Sequence, residues 1–139
     1  MAYAKANAVL YGKLDEIFEF ILDGRNNKNW RPGVKSVEYL SEGTIGAGTL
    51  FLQEMYGPPT RVIKADYKIL ECDRYRKISF VLLNGPYTPV GTFTFEVTEE
   101  GISVDFSMEE AGVVSREREM HFQKVVNDIH NLQKHFGRK

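Results

Sequence analysis

The chain has 139 residues, 42% hydrophobic and 27% charged, with a formal net charge of −1. That length fits one domain with a real core, and the apolar content excludes an intrinsically disordered chain. No Lys/Arg run exceeds two residues and no apolar stretch nears the ~20 residues of a membrane span, so neither a nucleic-acid partner nor a membrane span is expected.

Residues 2–11 alternate, with Ala2, Ala4, Ala6, Ala8 and Leu10 on one side, which predicts a strand whose small-residue face is closely packed. Leu14, Ile17, Phe18, Ile21 and Leu22 then fall on one face of a short amphipathic helix. Asp15 and Glu16 sit in its first turn, where the helix dipole favours anions, and Gly24 is the expected stop. Arg25–Gly33 is polar and irregular and holds the only tryptophan, Trp30. Strands are predicted at about 34–42, 48–56, 60–72, 76–84, 90–98 and 102–110, separated by turn residues such as Gly57-Pro58-Pro59 and Glu100-Gly101. Short joins without helices give an antiparallel meander and exclude a parallel Rossmann sheet. Phe122, Val125, Val126, Ile129, Leu132 and Phe136 share one arc of a final helix of about 20 residues, with Ser115 as its N-cap. Its other face carries Lys124, Asn127, Asp128, Asn131 and Lys134 and is expected to be solvated. The fold class is therefore α+β, with one long one-faced helix lying across the sheet.

Aromatic and Met residues crowd the middle strands, and they could line a pocket or fill it. Residue types alone favour a packed core, because aromatics at strand spacing usually form one. An empty cavity of ~300 Å³ costs on the order of 7 kcal/mol, close to a domain's whole net stability, so a large one persists only where function requires it.

Strand, two short helices, meander and long C-terminal helix is the element order of the helix-grip fold. The sequence resembles the polyketide cyclase/dehydratase-like family of the START/Bet v 1-like (SRPBCC) superfamily over nearly its full length. The resemblance is carried by Asp15-Glu16-Ile17-Phe18-Glu19-Phe20-Ile21-Leu22-Asp23, then Asn26, Trp30, Pro32, Gly33 and Val34. Gly46-Ala47-Gly48-Thr49 and the turn Asp73-Arg74 before Ile78-Ser79-Phe80 add to it. The family's usual Ala-Pro before the first helix is Gly12-Lys13 here, and its "G-T" before the last strand is Gly101-Ile102. The resemblance implies about seven strands curved around the last helix, with a deep apolar cavity between them. It supplies no catalytic residue.

Other readings are weaker. Gly46 and Gly48 precede a strand, so no phosphate-binding helix follows them. His121, His130 and His135 lie on the last helix and point in three directions, so they cannot share a metal; only His121 could face a pocket mouth. One cysteine, Cys72, permits no internal disulfide and is read as a buried or half-buried strand thiol. The N-terminal residues lack an apolar signal-peptide core, and a cytoplasmic location is expected. Ser115, Arg118 and Gln133 fall on the inward face of the last helix and need polar partners. For Arg118 these are a strand carboxylate such as Glu109 or Glu110, or a ligand anion.

On the 60–72 strand, Arg61, Ile63, Ala65, Tyr67 and Ile69 share a face read as inward, with Lys64, Asp66 and Lys68 opposite. The cavity-lining candidates are Trp30, Phe51, Tyr56, Tyr67, Phe80, Tyr87, Phe93, Met108, Arg118, Phe122 and Val126. Trp30 is a lid or rim candidate, with an anchor tying its loop to the core the favoured reading. The expected function is binding of a small, mostly apolar molecule, lipid-like or aromatic/polyketide-like, without metal or cofactor, by a monomer or homodimer. A cyclase- or dehydratase-type enzyme using the same cavity is the alternative, and an interaction module with a filled core is the third.

Overall fold

A computed structural model describes residues 1–84, 88–112 and 115–137 of the protein. Strand β1 (Ala2–Leu10) leads into helix α1 (Leu14–Leu22) and a 3-10 helix (Gly24–Asn29). The meander follows as β2 (Val34–Tyr39), β3 (Leu50–Gly57), β4 (Arg61–Lys64), β5 (Tyr67–Asp73), β6 (Lys77–Leu82), β7 (Val90–Thr98) and β8 (Gly101–Glu110). Helix α2 (Arg116–Asn127) continues into a second 3-10 segment (Asp128–Lys134).

The strands form one curled antiparallel sheet in the order β1-β8-β7-β6-β5-β3-β2, with β4 paired to β3 outside that path. This is the helix-grip arrangement the sequence led us to expect. Strand β1 pairs with β8 along its whole length, from Ala2 opposite Glu110 to Leu10 opposite Ile102. Its alanine face is largely buried, and α2 packs over it. Side chains of one carbon let the helix approach the sheet closely at that edge. Ser115 caps α2, its Oγ accepting from the Arg118 amide at 3.2 Å.

Three expectations need correction. The strand placed at 60–72 is two strands, β4 and β5, broken at Ala65-Asp66. Asp66 is buried rather than solvated: its carboxylate accepts from the Gln53 amide at 3.0 Å, and its own amide donates to Asn84 Oδ1. A side chain thus replaces a ladder partner of β3, and the strand bends there. Arg61 and Ile63 consequently lie exposed while Ala65, Tyr67 and Ile69 are buried.

Helix α1 stops at Leu22, just before Gly24 as expected, but Gly24 does not take the positive φ of a glycine cap. A Cβ there would lie 2.0 Å from Tyr67 Oη and 3.1 Å from the Phe51 ring, so the position is open only to a residue without a side chain.

The last helix changes pitch at Asp128. Beyond that point each residue turns by about 120° instead of about 100°, so Ile129 and Leu132 stack in register and stay buried while Gln133 swings outward. Gln133 is exposed and donates to the Val9 carbonyl at 3.4 Å. Asn131, expected in solvent, is half-buried and donates to the Trp30 carbonyl at 2.9 Å.

Candidate functional site

A cleft of about 370 Å³ opens between the β3–β4 hairpin, the end of β6, β8 and α2. Its apolar walls are Met55, Tyr56, Ile63, Ala65, Leu82, Pro89, Met108, Phe122 and Val125, and its polar ones are Arg31, Lys64, Asn84, Arg118 and His121. The volume lies within the ordinary small-molecule range of roughly 300–1,000 Å³. Residues of β4, Ile63 and Lys64, and of α2, Arg118, His121, Phe122 and Val125, border it from different sides of the chain's fold.

Deeper in the molecule the space between sheet and helix is filled. Phe93 stacks on Phe106 at 4.3 Å between ring centroids, and Phe51 stacks on Tyr67 at 5.2 Å. Phe80 contacts Tyr67, Phe93 and Phe106, and Trp30 meets Phe93 and Phe106 edge-on. The void left among these rings is about 10 Å³, roughly the room of one water and too small for a ligand. It is bounded by Ile21, Leu22, Asn27, Arg31, Tyr67, Ile69, Ile78, Phe80 and Phe93.

The sequence candidates therefore separate into two places. Tyr56, Met108, Arg118 and Phe122 border the cleft. Tyr67, Phe80 and Phe93 border the small void, and Trp30, Phe51 and Val126 lie in the packed core. Tyr87 lies outside the described residues. Trp30 is 2% exposed and acts as the anchor of its loop. The cleft residues that sequence reasoning missed are chiefly Arg31 and Leu82; Met55 and Val125 were read only as residues of the crowded strands and of the inward helix stripe, and His121 as a pocket-mouth candidate. Arg31 had one signal, its place between Trp30 and Pro32 in the family-like motif.

Tyr67 is sequestered from the cleft. Asn27 Nδ2 donates to both Tyr67 Oη and Gln53 Oε1, each at 3.0 Å. Burial raises the Tyr67 pKa far above its ordinary value, opposed by the Asn27 hydrogen bond and by Arg31, so the phenol stays protonated at neutral pH. Arg118 is committed to Glu110, with Nε and Nη2 each 3.2 Å from a carboxylate oxygen, and its guanidinium lies 5.0 Å from the Phe122 ring centroid. Lys64 lies 3.4 Å from the Asp66 carboxylate. His121 sits at the rim; partial burial lowers its pKa, helped by Arg118, Lys124 and Arg31, which keeps the imidazole neutral at pH 7.

Arg31 occupies a singular position. Among the described residues it is the one that borders both the void and the cleft. It is 7% exposed, and its backbone is fixed by bonds from its amide to the Asn27 carbonyl at 2.8 Å and from the Val34 amide to its own carbonyl at 2.9 Å. Its Nε is buried without a hydrogen-bond partner. Burial lowers its pKa, partly opposed by Tyr67 and Asp128, and a guanidinium still remains protonated at any physiological pH. Chemically, the site is a mostly apolar slot bordered by the cations Arg31, Lys64 and Arg118. No group of three or more His, Cys, Asp or Glu able to hold a metal occurs among the described residues. No helix among them is long and apolar enough to cross a membrane.

No family model and no curated protein matches this chain. Solved structures do. Ginseng major latex-like protein 151 from Panax ginseng aligns at a TM-score of 0.69 with 14% identity, covering 92% of this chain and 94% of that one. The di-domain ARO/CYC StfQ of the steffimycin biosynthetic pathway aligns at 0.76 with 14% identity, covering 98% of this chain and 50% of StfQ. A Chromobacterium violaceum protein aligns at 0.72 with 13% identity over 100% of both chains. At such identities the likeness speaks to architecture, and the architecture is the Bet v 1-like helix-grip fold.

Proposed function

We propose that the protein binds a small, mostly apolar molecule in the cleft between the β3–β4 hairpin and α2. The observation that carries this is an apolar-walled space of about 370 Å³ beside a core packed almost without voids. Among the described residues a second opening of about 380 Å³ has polar walls, Glu38, Glu54, Lys64 and Asp66 among them, so the cleft beside α2 is the one of the two that suits an apolar molecule. Covering ~300 Å² of apolar ligand surface supplies about 7 kcal/mol gross. Association costs at least about 4 kcal/mol, so apolar contact alone gives weak binding and a polar anchor is needed.

The test is native mass spectrometry with lipid extraction on protein from its own host, joined to melting scans across an aromatic and lipid panel. Ligand at 100 times its Kd adds about 2.7 kcal/mol of stability, a readily measured shift. Val125→Trp, which fills the slot, is expected to keep the fold and remove the shift. Absence of any co-purifying small molecule, together with no shift across the panel, overturns the reading.

A cyclase-type activity is the second reading, supported by the likeness to StfQ. Here it rests on His121, a neutral imidazole at the rim of the cleft and a possible proton carrier. The placement of Tyr67 favours binding over catalysis, because a hydroxyl bonded to Asn27 and facing the small void serves no substrate in the cleft. Turnover of an aromatic polyketide-type substrate by the wild type, lost in His121→Gln, would reverse that preference.

A further inference from the structure

We propose that the ligand carries an acidic head group, a carboxylate or phenolate, and that Arg31 receives it at the border of the cleft. The inference rests on the binding function proposed above and specifies its substrate class.

The charge balance of the slot carries it. Arg31, Lys64 and Arg118 are the formal cations bordering the cleft, and no carboxylate borders it among the described residues. Two of the three are matched nearby, Lys64 by Asp66 and Arg118 by Glu110. Arg31 is not: no ion pair among the described residues includes it. Asp128 influences it through space without pairing. A buried guanidinium with an unpartnered Nε is an expensive feature, since buried charges are normally paired. Its stacking on Trp30, 5.9 Å from guanidinium carbon to ring centroid, positions the group without neutralising it.

The surroundings select the kind of anion. Most of the cleft's border is apolar, Met55, Ile63, Leu82, Met108, Phe122 and Val125 among it, and its other two cations already have carboxylate partners. Inorganic phosphate has no apolar body and would leave those walls uncovered. A single oxyanion on an aromatic or aliphatic body satisfies the guanidinium and fills the slot. Planar guanidinium and carboxylate match two to two, the strongest pairing available to Arg.

The experiment compares 2-naphthoate with 2-naphthamide, and decanoate with decanamide, on the full chain and on Arg31→Met. Each pair shares one apolar body and differs in charge. Calorimetry is expected to show each acid binding the wild type on the order of tenfold or more tightly than its amide, in line with a charge-assisted hydrogen bond. In R31M that preference should vanish, the acids losing at least about tenfold more affinity than the amides. R31M without ligand is expected to melt no lower than wild type, because a buried unpaired charge has become an apolar chain. A purely structural role for Arg31 predicts a lower melting temperature instead.

The Arg31 guanidinium resonance of the wild type gives a readout that does not depend on the variant folding: it should shift with 2-naphthoate and stay put with 2-naphthamide. Equal binding of acids and amides by the wild type, or an acid preference that survives in R31M, overturns the anchor while leaving cleft binding intact. Failure of all four probes, with no cleft resonance shifted, overturns the binding function and the anchor together.

Discussion

Gly91 is the most exacting position in the sheet. It lies on β7 opposite Phe80 of β6 and Met108 of β8. A Cβ there would sit 2.1, 2.3 and 2.8 Å from three atoms of the Phe80 ring, against the ~3.5 Å of an ordinary carbon contact. The ring would have to retreat by about 1.4 Å, the difference between ~3.5 Å and the 2.1 Å approach. It has little room: Tyr67, Phe93 and Phe106 contact it, Phe80 is only 5% exposed, and the adjoining void is about 10 Å³.

Gly91→Ala therefore sets two effects against each other. Removing a glycine from a strand interior gains roughly 0.5–1 kcal/mol. Overpacking a filled core costs roughly 1–3 kcal/mol. At mid-range values, about 2 against about 0.75 kcal/mol, overpacking should win by about 1.3 kcal/mol, a fall in melting temperature of about 3–5 °C at this chain length. Combining it with Phe80→Leu should cost less than the sum of the two single changes, since the shorter side chain vacates the space. Calorimetry on the four proteins of that cycle decides it. An unchanged or raised melting temperature for Gly91→Ala would refute the description of a ring wedged over a glycine.

Asp66→Ala leaves the buried Gln53 amide unpaired and should lower stability by about 1–3 kcal/mol in urea denaturation, whereas Asp66→Asn, which keeps an acceptor, should lie closer to wild type. Equal behaviour of the two would show that the carboxylate does not hold the strand break. His121 binds its proton less readily when folded than its ordinary value of 6.5, so the unfolded chain holds more protons just below that pH. Stability is expected to be fully present above pH 6.5 and to be lost as pH falls below it, less steeply in His121→Gln; parallel melting profiles from pH 7 to 5 would contradict this.

Most of the architecture was readable because its causes are local. The β7 boundaries 90–98 coincide with the predicted ones, and β8 extends the predicted 102–110 by one residue, since turn residues punctuate alternating apolar runs on both. The alanine face of β1 announced a close neighbour before α2 was located. What stayed hidden depends on partners far along the chain. Asp66 looks like a surface residue between two lysines, and only the approach of Gln53 and Asn84 makes it buried. Gln133 fits the helical stripe until the pitch changes.

The cavity shows the limit most clearly. Phe51, Phe80 and Phe93 have the composition of pocket lining and of core alike, and residue types alone favoured core, which is where the structure puts them. The resemblance pointed to a deep cavity, and the open space instead lies toward one end, bordered by Met55, Leu82 and Val125. Arg31 carried no periodic signal, because the irregular segment before Pro32 gives a guanidinium no face to belong to.

The placement of β4 has a consequence for how this protein can change over generations. Its four residues are all exposed and hang from β3 alone, yet Ile63 and Lys64 form part of the cleft wall. Exchanges at exposed positions usually alter stability by no more than about 0.5 kcal/mol. Ligand preference can therefore drift through β4 while the aromatic interior is left untouched, so the wall that discriminates between ligands is also the one under least constraint from folding.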